Sequence, residues 1–271
     1  VAQVEAALRQ RVGLDATSLG AESLRRALRH RMSSCAMDNG GRYVGRLLTD
    51  EAEFTEFVEE LLVPETWFFR DVRPFGCLRR FVNESWRPDA LGKKLRLMSV
   101  PCSTGEEPYS MAMTLLDLGL LPAQFHVDGV DLSRRVLARA AEGRYEDFSF
   151  RGDEQQFPGL CERYMQRDGN IYVVDESIRT SVRFRQANLV ASDFLVGELP
   201  YDVIFCRNVL IYLHADARRK TLLRLHRLLA PTGLLYVGHV EARVVAEGPF
   251  RGLDHEYPFA FCPVPQESSG T

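Results

Sequence analysis

From residue 93 onward, short apolar runs alternate with helical patterns, and this order restricts the fold more than any other feature of the chain. Strands are expected over 94–100, 125–130, 183–188, 201–206 and 234–238, and helices over 107–118, 133–141 and 215–229. Such alternation predicts a parallel sheet with helices on both faces and any ligand at the carboxyl ends of the strands. The final segment, HEYPFAFCPV, leaves no room for another crossover helix and is expected to add an antiparallel edge strand. The connection from Gly143 to Arg183 spans about 40 residues, far beyond the usual two to six. Within it NIYVV and SVRFRQ are strand-like, so a small β excursion is expected over about 145–186.

Upstream, residues 1–72 read as a separate run of helices. ESLRRALRHRM places Leu24, Leu28 and Met32 on one side of a helix and Arg25, Arg26 and Arg29 largely on the other. TDEAEFTEFVEELL predicts a helix capped by Thr49, with Asp50 and Glu51 in the first turn. Phe54, Phe57, Leu61 and Leu62 form its core stripe, and Pro64 ends it. The sheet-forming region is expected over 73–263, with residues 264–271 as a flexible tail.

A formal net charge of −3 over 271 residues gives no global reason to expect nucleic-acid binding. No apolar run approaches membrane-spanning length, and the N-terminal stretch is patterned as an amphipathic helix, so a cytoplasmic protein without membrane insertion is expected. The six cysteines lack C-x-x-C pairing and ligand-spaced histidines, which argues against a metal site. The start at Val1 and the linker-like end suggest a piece of a longer protein, with a possible further C-terminal module.

The chemistry concentrates in SVPCSTGEEPYS, residues 99–110, at the first strand-to-helix turn. A turn that cradles phosphate needs several glycines and open N–H groups; this one has a single glycine, Gly105, and the adjacent carboxylates of Glu106 and Glu107. Asp131 ends the second strand, where a carboxylate can accept hydrogen bonds from ribose hydroxyls. A ligand with ribose, no phosphate and two positive groups fits this pairing, which favours S-adenosylmethionine over a nicotinamide cofactor. Either acid also has a purely structural use, in a helix first turn or at an N-cap. Arg207 and Asn208 end the apolar strand YDVIFC, and the Asn/Asp-Pro-Pro-aromatic pattern of base methylation is missing from that run.

STGEEPYS, TWFFRD, FCRNVLIY and GLLYVGHVE, in this order of helical region, α/β region and β insertion, resemble the chemotaxis receptor methyltransferase (CheR) family over residues 1–262. The resemblance implies a class I methyltransferase (Rossmann-like) sheet with a small β insertion and an N-terminal all-helical domain. It also implies methyl transfer from S-adenosylmethionine to glutamates of a chemoreceptor's cytoplasmic helical bundle. The products would be glutamate 5-O-methyl esters, in chemosensory adaptation, and S-adenosylhomocysteine.

By motif position, Thr66 and Arg70 are implied to reach over the cofactor, and Glu107, or less favourably Glu106, to contact it from the loop. Asp131 is implied as ribose acceptor, Asn188 and Leu189 as adenine-side contacts, and Asn208 and Val209 as contacts near the methionine part. Arg70 and Tyr212 are the candidates for organising the reactive carboxylate, and Arg25, Arg26, Arg29 and Arg31 for docking an acidic receptor bundle, with the β excursion as rival dock. The chain departs from the family pattern at Pro64, Pro101, Cys102 and Val240. A signalling adaptor that keeps the pocket, or a small-molecule methyltransferase, are the alternatives.

Overall fold

The computed structural model of the protein describes residues 1–62, 65–87, 92–151 and 159–265. Five helices come first: α1 (Ala2–Val12), α2 (Ala16–Leu19), α3 (Ala21–Ser34), α4 (Gly40–Thr49) and α5 (Glu51–Leu61). On α3, Leu24 and Ala27 are buried while Arg25, Arg26 and Arg29 are exposed, as the spacing predicts. The cap of α5 lies one residue later than expected. Thr49 closes α4, its hydroxyl donating to the Gly45 carbonyl at 3.0 Å, and Asp50 caps α5 by accepting from the N–H groups of Ala52 and Glu53 at 3.0 and 3.1 Å. A carboxylate wins that place because the helix dipole favours its charge as well as its hydrogen bonds. Pro64, expected to end this helix, lies outside the described residues.

After α6 (Arg73–Phe81), which begins with Pro74 in its first turn, come β1 (Leu95–Ser99), α7 (Glu106–Asp117), β2 (Phe125–Asp131) and α8 (Arg134–Glu142). The excursion follows as β3 (Arg144–Tyr145), α9 (Leu160–Tyr164), β4 (Met165–Asp168), β5 (Ile171–Val174) and α10 (Glu176–Arg179). The chain then returns through β6 (Val182–Gln186), β7 (Tyr201–Cys206), α11 (Ala215–Leu228), β8 (Leu229–Val237), α12 (Ala242–Val245), β9 (Phe250–Gly252) and β10 (Ala260–Pro263).

The main sheet has the order β6-β2-β1-β7-β8-β10-β9, parallel from β6 to β8 and antiparallel at β10 and β9. This is the expected class I methyltransferase architecture, with two differences. SVRFRQ is not part of the excursion: β6 pairs with β2 over Val127↔Val182 to Asp131↔Gln186, and the excursion's own sheet is β3-β5-β4. The C-terminal strand β10 is not the edge, because β9 pairs outside it to make a hairpin. That second strand is only three residues long, too short for a period-two signal.

Along β7 the side chains alternate between two cores. Val203 and Phe205 pack with α6, α7 and the excursion, whereas Ile204 and Cys206 pack with α11 and the N-terminal helices. The helical region therefore buries its apolar stripe in the same core, on the same sheet face, as α11.

Candidate functional site

At the carboxyl ends of β1, β2, β6 and β7 a cleft of about 710 Å³ opens, walled on one side by Val12, Leu14, Leu19 and Leu61 of the helical region. Thr66, Arg70, Glu107, Asp131, Asn188, Leu189, Asn208, Val209 and Tyr212, far apart in sequence, all line it. Glu106 does not.

The β1–α7 turn explains how the two adjacent acids part. Gly105 sits at φ +95°, and a Cβ there would come within 2.9 Å of the Ala140 Cβ, so the lone glycine serves backbone conformation and close packing against α8. α7 starts directly after it. Successive helical residues diverge by about 100°. Glu106 points into the interior, accepting from the Thr104 hydroxyl at 2.7 Å and the Ser149 hydroxyl at 3.1 Å, and burial pushes its carboxyl pKa up. Glu107 faces the cleft, accepting from Ser99 Oγ and Arg207 Nη1, each at 2.8 Å. The expectation that Glu106 contacts a cofactor is corrected by this geometry.

Asp131 is almost enclosed. Its oxygens accept from the N–H groups of Ser103 at 2.9 Å and Ser133 at 3.0 Å, and burial raises its pKa. Ser133 caps α8 through its own hydroxyl, bonded to Val136 N–H at 3.2 Å. Asn188 ties the two regions together: its amide donates to the Arg11 carbonyl at 2.9 Å and its oxygen accepts from Val190 N–H at 3.1 Å.

Asn208 holds φ +62°, a left-handed setting that asparagine adopts more readily than most residues with a side chain. Glu241 supports it. Fully buried, this carboxylate accepts from the N–H groups of Asn208, Val209, Leu210 and Gly238 at 2.7–2.8 Å. Tyr212 follows in the next turn; its carbonyl accepts from Asp15 N–H at 2.8 Å, and Leu14 and Leu213 form an isolated antiparallel bridge. Its side chain is 36% exposed at the cleft.

Arg70 lies between Phe69 and Asp71, both at φ +53°, and its guanidinium sits 4.6 Å from the Trp67 ring centre while donating to the Glu65 carbonyl. Arg207 is buried beneath this turn. The sequence places Arg207 beside Asn208 at the sheet's carboxyl edge without giving it a partner, and it does not single out Glu241, although GHVE contains it; a single charged residue beside an apolar strand does not reveal whether it turns inward.

The docking candidates divide. Arg25 and Arg29 are exposed and pair with Glu22 at 3.2 and 2.9 Å, and Arg26 is exposed. Arg31 is corrected: it bonds Glu53 at 2.8 Å with its side chain 15% exposed, linking α3 to α5. Glu53 also receives the Tyr43 hydroxyl at 2.8 Å and the Cys35 thiol at 3.2 Å.

The cleft fits S-adenosylmethionine in kind. It carries carboxylates at the loop and at the β2 end, and the Ser103 hydroxyl beside them is buried without a partner among the described residues. No glycine-rich phosphate cradle opens α7, whose first turn is acidic.

Comparison with known proteins agrees with this geometry. The CheR methyltransferase SAM-binding domain matches residues 64–257, and the CheR all-alpha domain matches residues 2–62. The chain is 41% identical over 257 residues to the probable biofilm formation methyltransferase WspC of Pseudomonas aeruginosa, covering 95% of this chain and 60% of that protein. It is 36% identical over 210 residues to chemotaxis protein methyltransferase 1 of the same organism, covering 74% and 75%. With the chemotaxis protein methyltransferase of Salmonella typhimurium it shares 32% identity over 253 residues, covering 90% and 84%. The chain spans about three fifths of the length of the WspC relatives it matches. With both domain patterns in register and an acidic, glycine-poor cleft at the strand ends, the chain belongs to the CheR methyltransferase family and carries its S-adenosylmethionine-binding domain.

Proposed function

We propose that the protein transfers a methyl group from S-adenosylmethionine to glutamate side chains of a chemoreceptor-type cytoplasmic helical bundle, giving glutamate 5-O-methyl esters. The observation that carries this reading is the placement of Arg70 and Tyr212 on a cleft shared with Glu107 and Asp131. When bound, S-adenosylmethionine supplies the activated methyl on its sulfonium. A glutamate carboxylate, with a reference pKa of about 4.3, is already ionised near neutrality and needs no general base. The chain's own work is therefore holding, aligning and drying. Glu107, Asp131, Thr66, Asn188, Leu189, Asn208 and Val209 hold the cofactor, and Arg70 turns from Trp67 to bind the substrate carboxylate by charge-assisted hydrogen bonds. Tyr212 supplies a hydroxyl to orient it, and the apolar wall from the helical region excludes water.

A cytoplasmic location and a receptor partner belong to the same proposal. They are supported by relatives named as chemotaxis protein methyltransferases, and among the described residues no helix is long and apolar enough to cross a membrane. The WspC relatives make a receptor that controls biofilm formation the first substrate to try. The test is transfer of labelled methyl from S-adenosylmethionine to a receptor cytoplasmic fragment, followed by mild alkali. Release of the label as methanol is expected. Alkali-stable label would assign another acceptor, and cofactor binding without transfer to any protein would assign an adaptor.

A further inference from the structure

We propose that Arg207 is a positioning residue that couples the cofactor end of the cleft to the Arg70 turn, so that filling one changes the setting of the other. This rests on the proposed role of Arg70 as the holder of the substrate carboxylate. Arg207 follows β7 directly, and its side chain is 4% exposed. One arm of its guanidinium, Nη1, donates to Glu107 Oε2 at 2.8 Å; the other, Nη2, donates to the Arg70 carbonyl at 2.9 Å and lies 3.8 Å from Asp71 Oδ2. Nε is buried and has no partner among the described residues. The fork thus spans two walls, one from α7 and one from the segment before α6.

The second wall is a turn held under strain. Phe69 and Asp71 on either side of Arg70 both adopt φ +53°, a setting that persists only where surrounding contacts impose it. Phe68 N–H donates to the Ser149 carbonyl at 2.9 Å and Phe69 N–H to Ser110 Oγ at 3.0 Å, which fixes the turn's entry. Asp71 meets Arg73 at 3.0 Å and His239 at 3.3 Å, which fixes its exit. The Arg70 carbonyl, at the centre, is held by Arg207. Because a guanidinium is planar and rigid, a tilt at Nη1 when Glu107 engages a ligand carries Nη2, and with it the Arg70 carbonyl. A lysine, as a point charge on a flexible stem, can keep the charge but not the two fixed arms. By linkage the coupling is reciprocal: a carboxylate held by Arg70 changes affinity at Glu107 by the same factor.

The chain's two tryptophans give a readout independent of turnover. In a Trp86→Phe background Trp67 is the sole tryptophan, and Arg70 stacks on it. Titration with S-adenosylhomocysteine is expected to shift Trp67 emission saturably. Adding Arg207→Lys should abolish that shift while calorimetry still shows the ligand binding, about 10-fold more weakly. In the otherwise natural chain Arg207→Lys should lower kcat on a receptor fragment about 100-fold, yet less than about 3-fold when added to Arg70→Ala, because the two act through one element. If Arg207→Lys does not fold, Glu107→Gln cuts the fork from its other end and should remove the Trp67 shift at ligand saturation. A shift that survives in the variants, or losses that simply multiply in the double variant, would overturn the coupling. Absence of S-adenosylhomocysteine binding to the unsubstituted chain would instead overturn the methyltransferase reading.

Discussion

Two regions of this protein are built from arginine and glutamate, and the same chemistry behaves differently in each. On α3, Arg29 and Glu22 meet at 2.9 Å with side chains 71% and 72% exposed. At the strand ends, Arg207 and Glu107 meet at 2.8 Å with side chains 4% and 12% exposed. The first pair exchanges hydration for little, and water and salt screen it. The second, with Glu241 beside it, has replaced water by fixed protein donors, so geometry is what those charges contribute. Exposed charge gives reach toward a partner, and buried charge gives position.

The comparison is broken most forcefully at Glu241. Glu241→Ala leaves four N–H groups without their acceptor, those of Leu210 and Gly238 buried and those of Asn208 and Val209 part-buried. Unpaired buried donors cost ~1–3 kcal/mol each, with partial relaxation between neighbours, so a loss of about 3–5 kcal/mol in urea unfolding is expected. Glu22→Ala on α3 should stay within about 0.5 kcal/mol. Comparable losses at the two positions would erase the distinction.

Next in size is Arg70→Ala, for which kcat should fall about 100-fold while the Kd for S-adenosylmethionine changes only a few-fold, as for a contact needed mainly in the transition state. Equal losses in both would make Arg70 a cofactor clamp.

Two buried glutamates sharpen the contrast through pH. Burial raises the pKa of Glu106, so its folded form favours the proton: the stability it contributes is present below the unfolded value near 4.5 and lost as pH rises through the folded pKa. For Glu53 burial alone would act the same way, but the bonds from Arg31, Tyr43 and Cys35 outweigh it and hold the pKa below 4.5. Its contribution is present above that value and lost as pH falls through the folded pKa. Thermal melts should therefore show Glu106→Gln gaining on the natural chain between pH 4 and pH 7, and Glu53→Gln losing ground over the same range. The same sign for both would refute the assignment of opposite environments.

The smallest effect is expected from replacing Arg25, Arg26 and Arg29 together with Glu. The apparent KM for a receptor fragment should rise and its salt dependence flatten, with cofactor affinity unchanged, since long-range attraction is what exposed charges provide. If receptor kinetics stay unaltered while deletion of the β3-β5-β4 excursion abolishes binding, recognition lies in the insertion.

Much of this was legible in the sequence because periodicity is local. The runs that became β1, β2 and β7, and the patterns that became α7, α8 and α11, need only their own residues to show a period of two or 3.6. The three-residue β9 was not legible, and SVRFRQ read both as the main-sheet strand expected over 183–188 and as part of the excursion, since the pairing partners that decide between the two lie outside the strand itself. Arg31 lies seven residues after Leu24, on the apolar side of the helical projection and about 160° from Arg29, so spacing alone sets it apart from the exposed arginines, and what the tertiary structure adds is its partner, Glu53 of α5.

The sequence by itself determined the class of fold, the lack of a phosphate cradle and the presence of acids at two strand ends, all of which depend on residue type and order. Tertiary structure decided which acid serves the cleft. Glu106 and Glu107 are equivalent in sequence, both in the first turn of α7. Their side chains diverge by about 100°, so one meets Thr104 and Ser149 inside the molecule and the other meets Ser99 and Arg207 at the cleft. Arg207 is 100 residues from Glu107 and 137 from Arg70 along the chain. Contacts of that range depend on how the sheet brings its strand ends together, which no local pattern encodes.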